Sequence, residues 1–303
     1  MAHHHHHASE TGDAGVRRLW LAVGVNLLLT AVQIIGGVLA GSLALVADAL
    51  HNFSDAGSLV LALVARRIGQ RPADERRTYG YGRAEVVGAL INLTAIMIVA
   101  AYLLIEAVAR FFERPAIDGG LIIIVASVAL LVDIVTAVLT YALSKESVNI
   151  KAAFIHNVAD ALASVGVIVA GALIILFGWW WADLVATVAI SVYIVWMSIP
   201  PMRKSIAILM QSVPPGMSIE AVRETIESVD GVVDAHHVHL WPIDEHQISV
   251  EAHLAVEATA LQEAEDIKRN VRRSLQELHG VEHSTLELES PGGCDFENHD
   301  HPA

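Results

Sequence analysis

The chain has 303 residues, 54% of them hydrophobic and only 17% charged, and its apolar runs reach the roughly 20 residues that cross a bilayer, which excludes an ordinary soluble protein. The formal charge of −14 is concentrated at one end: 14 acidic and 14 basic residues precede Met210, against 19 acidic and 5 basic from there on. So acidic an end excludes nucleic-acid binding, which needs a basic surface against phosphates, and suits cations.

Residues 1–15 carry a histidine run at 3–7, either a tag or a native His-rich leader, and are expected to be disordered. This charged start lacks the pattern of a cleaved signal peptide, so the first span is expected to be retained. Six apolar spans follow at 17–40, 42–67, 83–112, 117–144, 148–178 and 180–204, within a membrane domain of 16–209. Only Ala40, Gly41 and Ser42 separate the first two, which predicts a tight hairpin. Arg17, Arg18, the cluster Arg66, Arg67, Arg71, Arg76, Arg77 and Arg83, then Lys145, Lys151, Arg203 and Lys204 fall on one side of the membrane. Only Arg110 and Arg114 fall on the other, so both termini are expected in the cytoplasm. The sequence GWWW at 178–181 reads as an interfacial anchor on the opposite side.

The break QSVPPG from Gln211 opens a second domain, 210–290, that reads as helix, strand, strand, helix, strand. Ser218 caps its first helix and Gly231 ends it. Val233, Ala235, His237, His239 and Trp241 then alternate with Asp234, His236, Val238 and Leu240. Ile248, Val250, Ala252, Leu254 and Val256 form the apolar face of the next strand. Leu261, Ala264, Ile267, Val271, Leu275 and Leu278 have helical spacing, and Thr285, Leu286 and Leu288 suggest a last strand. An open αββαβ sheet with helices on one side is expected. Residues 291–303, with the lone Cys294 and with His299, Asp300 and His301, are expected to be a disordered tail.

Only two histidines occur between Leu19 and Met210, and each is followed four residues later by an aspartate: His51 and Asp55 in ALHNFSD, His156 and Asp160 in FIHNVAD. That spacing puts each pair on one helix face, and ionisable groups inside apolar spans face a partner, a cavity or a transport path. Two such helices facing each other supply two nitrogens and two oxygens, a tetrahedral set suited to Zn²⁺. Asp48 and Asp133 can relay protons, hold a ligand histidine's second nitrogen, or bond between helices. Asn26, Asn92 and Asn157 read as interhelical hydrogen bonders.

Both pairs, together with GSLALVADALHNFSDAGSL, RPADERRTYGYGRAE, HNVADALASVGV and DAHHVHLW, make the chain from about Leu19 to Glu289 resemble the cation diffusion facilitator family, zinc-type metal/proton antiporters. The resemblance implies a homodimer with six spans per subunit, a tetrahedral site between spans two and five, and a cytoplasmic ferredoxin-like domain. The transport site falls on His51, Asp55, His156 and Asp160. Members with Asp at the first position are broader in metal choice, so histidine there implies Zn²⁺, with Cd²⁺ or Co²⁺ secondary. It also implies a regulatory metal site at the dimer interface from His236, His253, Asp266 and Glu289, with His239 and Glu287 in reserve. Some members hold a second zinc in the loop after span two with one Asp and two His. Here Asp74, Arg77 and Tyr81 occupy that loop, so no metal is expected there. Arg83 matches a basic residue that pairs with a carboxylate opening the cytoplasmic domain, but the partner position is Gln211.

The expected function is efflux of Zn²⁺ from the cytoplasm in exchange for protons, in a bacterial plasma membrane, with no organic cofactor. Two intramembrane histidines cannot ligate a di-iron oxygenase, and no H-E-x-x-H motif supports a metalloprotease, so an enzyme is not expected. The alternatives are a membrane metal sensor, which binds zinc without moving it, and a passive channel.

Overall fold

The computed structural model describes residues 13–143, 148–258 and 260–291. The histidine run at 3–7, Lys145, Cys294, His299, Asp300 and His301 lie outside them. Six long helices come first: α1 (Asp13–Ala40), α2 (Leu43–Gly69), α3 (Arg83–Glu113), α4 (Gly119–Leu143), α5 (Val148–Phe177) and α6 (Trp181–Leu209). They stand where the apolar runs were expected, except that α1 begins ahead of residue 17 and α6 continues through Pro200 and Pro201 to Leu209. Among the described residues, four segments are long and apolar enough to cross a membrane: Arg83–Glu113, Gly119–Val138, Phe154–Phe177 and Trp181–Leu209. In α1 the apolar stretch is the shorter Asn26–Ala40. Helix α2 carries Asp48, His51, Asp55, Arg66 and Arg67, which lower its apolarity.

The chain forms two compact units, one of residues up to Leu61 with Ile91–Pro200, the other of Ala62–Leu90 with the residues from Pro201 onward. The first unit inverts the pattern of a water-soluble bundle. Its interior is built on Ala40, Ala44, Ala47, Ala100, Ala107 and Ala126 around Leu45, Leu103, Ile122 and Val167. Gln33, Asp48, Asn52, Asp133, Asp160 and Ser164 are also buried, whereas Leu28, Ile35, Ile105, Val138 and Leu176 point outward, each more than half exposed. Such an exterior is at ease in hydrocarbon, and small interior residues let helix backbones approach. The α4–α5 contact depends on this. A Cβ on Gly119 would lie 2.6 Å from the Gly171 carbonyl oxygen, and one on Gly171 would lie 3.0 Å from that of Gly119.

The α1–α2 turn sets where α2 begins. Gly41 takes a positive φ of 68°, and its carbonyl accepts from Arg110 Nη1 at 3.0 Å. The Asp183 carboxylate of α6 caps α2 from outside, accepting from the Leu43 amide at 2.8 Å and from the Ser42 hydroxyl. An anionic cap there also meets the positive end of the helix dipole. At the α5–α6 turn the Trp179 and Trp181 rings stack at 5.0 Å, and Trp180 lies 5.6 Å from Phe111.

The second unit contains a small sheet with helices: α7 (Ile219–Glu227), β1 (Val232–Pro242), β2 (Ile248–Val256), α8 (Leu261–His279) and β3 (His283–Glu289). Strand β2 is central, antiparallel to β1 and parallel to β3. Ser218 caps α7 by accepting from the Ala221 amide at 3.3 Å, and Gly280, at φ 65°, ends α8. Val222 and Ile226 of α7 and Ile267, Val271 and Leu275 of α8 share one core with Val250, Ala252 and Leu254, so both helices cover the same face.

Two details differ from the expected pattern. Strand β1 does not alternate throughout. Between the pairs His236↔His253 and His239↔Glu251 two β1 residues face one β2 residue, so Ala235 is buried and the parity then reverses to bury Leu240. His237, in this bulge, adopts a left-handed φ of 49°. On α8, Leu261 and Leu278 are 80% and 70% exposed. Leu261 lies about 120° around the helix from Ile267, and Leu278 sits in the last turn.

Candidate metal centre

The i, i+4 spacing on α2 and α5 brings four side chains to one point. His51 Nε2 lies 3.7 Å from Asp55 Oδ2 on its own helix and 3.3 Å from Asp160 Oδ1 across on α5. His156 Nε2 lies 3.5 Å from Asp160 Oδ2 and 3.1 Å from Asp55 Oδ2 on α2. One ligand atom from each residue can be chosen so that all lie within 4.8 Å of one another. Atoms bound tetrahedrally at about 2.0 Å from one ion are about 3.3 Å apart, so these separations suit a shared cation. With both imidazoles neutral the four groups carry two negative charges, which matches a divalent ion.

Burial is uneven around this point. His51 and Asp160 are 9% and 7% exposed as residues, whereas the side chains of Asp55 and His156 are 32% and 38% exposed. His51 Nε2 and Asp160 Oδ1 are buried with no hydrogen-bond partner. Buried polar atoms are normally paired, and a cation would satisfy both.

A second tier of polar groups surrounds the four. Asp48 Oδ2 accepts from Gln33 Nε2 at 2.7 Å, and Gln33 Oε1 accepts from Asn52 Nδ2 at 3.2 Å. Asp133 Oδ2 accepts from Ser164 Oγ at 3.0 Å, one turn beyond Asp160. Asn92 Nδ2 donates to Ser58 Oγ at 2.6 Å, as an interhelical bond. Sequence reasoning missed Gln33, Ser164, Asp183 and Tyr193, whose ring meets His51 edge-on at 6.3 Å. For Gln33 and Asp183 the signal was present as polar residues in apolar helices. For Ser164 it was the four-residue step from Asp160.

The sheet carries a smaller cluster on the face away from α7 and α8. His236, His253 and Glu289 place ligand atoms within 4.8 Å of one another. Glu289 Oε1 is 2.7 Å from His253 Nδ1, and Oε2 is 3.3 Å from His236 Nε2. That nitrogen and Glu289 Oε2 are buried without hydrogen-bond partners. His236 Nδ1 is held at 2.8 Å by Asp234, which fixes Nε2 as the atom turned toward Glu289. The bulge sets the His237 ring 5.1 Å from that of His253. Loss of hydration, then the His253, His236 and His239 imidazoles, hold His237 below the ordinary histidine range. Asp234 and His237 were not among the expected ligands.

Asp266 is not brought to this cluster. It sits on the outer side of α8, paired with Arg269 at 3.1 Å, because α8 packs on the opposite face of the sheet from His253. Of the reserve positions, Glu287 Oε2 lies 3.5 Å from His253 Nε2 and His239 is exposed. In the loop after α2, Asp74 closes a turn instead of facing a cavity. It accepts from the Tyr81 hydroxyl at 2.7 Å and from the Arg76 and Arg77 amides, and these bonds, the Tyr81 one foremost, hold its carboxyl below the usual range. Arg83 Nε donates to the Ile243 carbonyl at 2.7 Å, so a backbone oxygen takes the place of the carboxylate missing at Gln211.

Known proteins resemble this chain over most of its length. The cation efflux transmembrane domain matches residues 19–210, and the cytoplasmic domain of cation efflux proteins matches 214–291. A cadmium, cobalt and zinc/H(+)-K(+) antiporter of Bacillus velezensis is 31% identical over 303 residues, 99% of this chain and 94% of the relative. The zinc transporter ZitB of Escherichia coli is 31% identical over 293 residues, 95% of this chain and 93% of its own length. The metal cation efflux system protein CzcD of Cupriavidus metallidurans is 31% identical over 284 residues, 93% and 89% of the two.

Proposed function

Because the chain belongs to the cation efflux family, the cation diffusion facilitators, we propose that it exports Zn²⁺ from the cytoplasm in exchange for protons, with Cd²⁺ and Co²⁺ as secondary substrates. The observation that carries the reading is the convergence of His51, Asp55, His156 and Asp160 on one point within 4.8 Å. Histidine and aspartate must lose protons to ligate a metal, so the same side chains bind Zn²⁺ when deprotonated and release it when protonated. Imidazole titrates near neutrality, which poises the exchange between a neutral cytoplasm and a more acidic exterior. Helices α1–α6 serve as six spans, with both termini cytoplasmic by the arginine and lysine distribution. Residues 16–209 then form the membrane domain of a bacterial plasma-membrane homodimer, and 210–290 a ferredoxin-like αββαβ domain.

Zinc flux into sealed proteoliposomes tests this. Uptake is expected to rise when the lumen is acidified and to vanish in Asp160→Ala. Near-normal uptake by that variant would refute the site, and flux indifferent to the pH gradient would refute antiport. The cluster of His236, His253 and Glu289 favours a second reading, a metal sensor. Zinc binding by the wild type with no flux would select it.

A further inference from the structure

A cleft of about 480 Å³ opens in the second unit, between the end of α2, the start of α3 and the sheet domain. Its walls are Ile68, Ala84, Val87 and Trp241, and its charged groups are Arg77 and Arg83; none of the described residues lining it is acidic. Among the described residues neither Asp74 nor Glu75 forms a salt bridge with Arg77: Asp74 accepts from Tyr81 and two backbone amides while still attracting Arg77 at longer range, and the Arg77 guanidinium lies 5.1 Å over the Tyr81 ring. Arg83 uses Nε on the Ile243 carbonyl, and its other guanidinium nitrogens have no partner among the described residues. The first turn of α3 adds the positive end of its dipole, and two carboxylates stand outside the lining, Glu85 beside Gly69 and Asp244 beside Gly82.

Position and charge together select the occupant. Helix α3 is apolar enough to cross a membrane from Arg83 onward, so the cleft lies where a span begins. Val64, 50% exposed and one turn before Ile68, and Val87, 43% exposed, extend apolar surface along the two helices. Arg66, Arg67, Arg71 and Arg76 belong to the same α2–α3 segment of the chain. Basic clusters at the end of a span attract anionic lipid, and tryptophan and tyrosine favour the headgroup level.

We propose that this cleft binds an anionic phospholipid, with its phosphate against Arg77 and Arg83 and its acyl chains along Val64, Ile68 and Val87. The site is separate from the His51 cluster, so its failure would leave the transport reading standing. The test is native mass spectrometry of the full-length, detergent-purified chain titrated with phosphatidylglycerol and with phosphatidylcholine of the same chains. Phosphatidylglycerol is expected to bind more tightly. Arg77→Gln, on an exposed side chain, should weaken it about fivefold, the factor implied by about 1 kcal/mol per basic side chain near an anionic surface. Arg77→Lys should retain binding, and Arg114→Gln, at the far end of α3, should leave it unchanged. Equal affinity for the two lipids, or an unaltered Arg77→Gln, would overturn the proposal. Displacement by inorganic phosphate would overturn it too, by making this a site for free anions.

Discussion

Among the described residues, two clusters of histidine and carboxylate share their chemistry and differ in construction. His51, Asp55, His156 and Asp160 come from the interiors of two helices and supply four ligands. His236, His253 and Glu289 come from three strands and supply three, with Glu289 divided between two imidazoles. Each cluster contains one nitrogen and one oxygen buried without a partner. The first can enclose a divalent cation alone. The second needs a fourth ligand from water, from Glu287 or from another copy of the chain, so it should bind more weakly and report metal without carrying it.

The sharpest way to break that contrast is to remove one carboxylate from each. Asp160→Ala should abolish zinc flux in proteoliposomes, whereas Glu289→Gln should leave at least half of it at saturating zinc. Equal losses would mean that the clusters are not divided into transport and regulation. Calorimetry on full-length Asp160→Ala sharpens the point, because the zinc binding that remains beyond that of the histidine run at 3–7 should belong to the sheet and disappear when His253→Ala is added.

Selectivity is expected to follow the ligand type. Exchanging an imidazole for a carboxylate in His51→Asp makes the set harder, which favours Mn²⁺ relative to Zn²⁺. Competition flux should show the Zn²⁺ preference falling severalfold. An unchanged ratio would place selectivity outside the four ligands.

The two clusters were also unequally legible in the sequence. A helix repeats so regularly that His51 with Asp55, and His156 with Asp160, had to share a face each, and only the meeting of α2 and α5 remained open. Strand alternation is as regular until a residue is inserted. The bulge at His237 reverses the parity of β1, and nothing in DAHHVHLW announces it, so His236 was expected but its neighbours Asp234 and His237 were not. Asp266 failed for a related reason. Its helix can cover either face of the sheet, and spacing along α8 does not say which. Gly119 and Gly171 are likewise silent in sequence, since a close backbone approach is visible only once both helices are placed. Gly171→Ala should overpack α4 against α5 and cost about 1–3 kcal/mol, seen as a lower unfolding temperature in detergent.

The smallest expected effect bears on strain, which separates the clusters as clearly as ligand count does. No residue of α2 or α5 has a positive φ, whereas His237 sits at 49°, a conformation that costs an L side chain about 1–2 kcal/mol and glycine almost nothing. His237→Gly should therefore stabilise the sheet by up to about 1 kcal/mol. Its folded-state pKa is depressed, so protonation below the ordinary value of about 6.5 works against the fold, and the variant should lose less stability on acidification through that range. The zinc affinity of the sheet cluster decides why histidine is kept. If the ring lying 5.1 Å from His253 assists binding, affinity falls as stability rises; unchanged affinity would mean that the bulge alone, and not its imidazole, shapes the site.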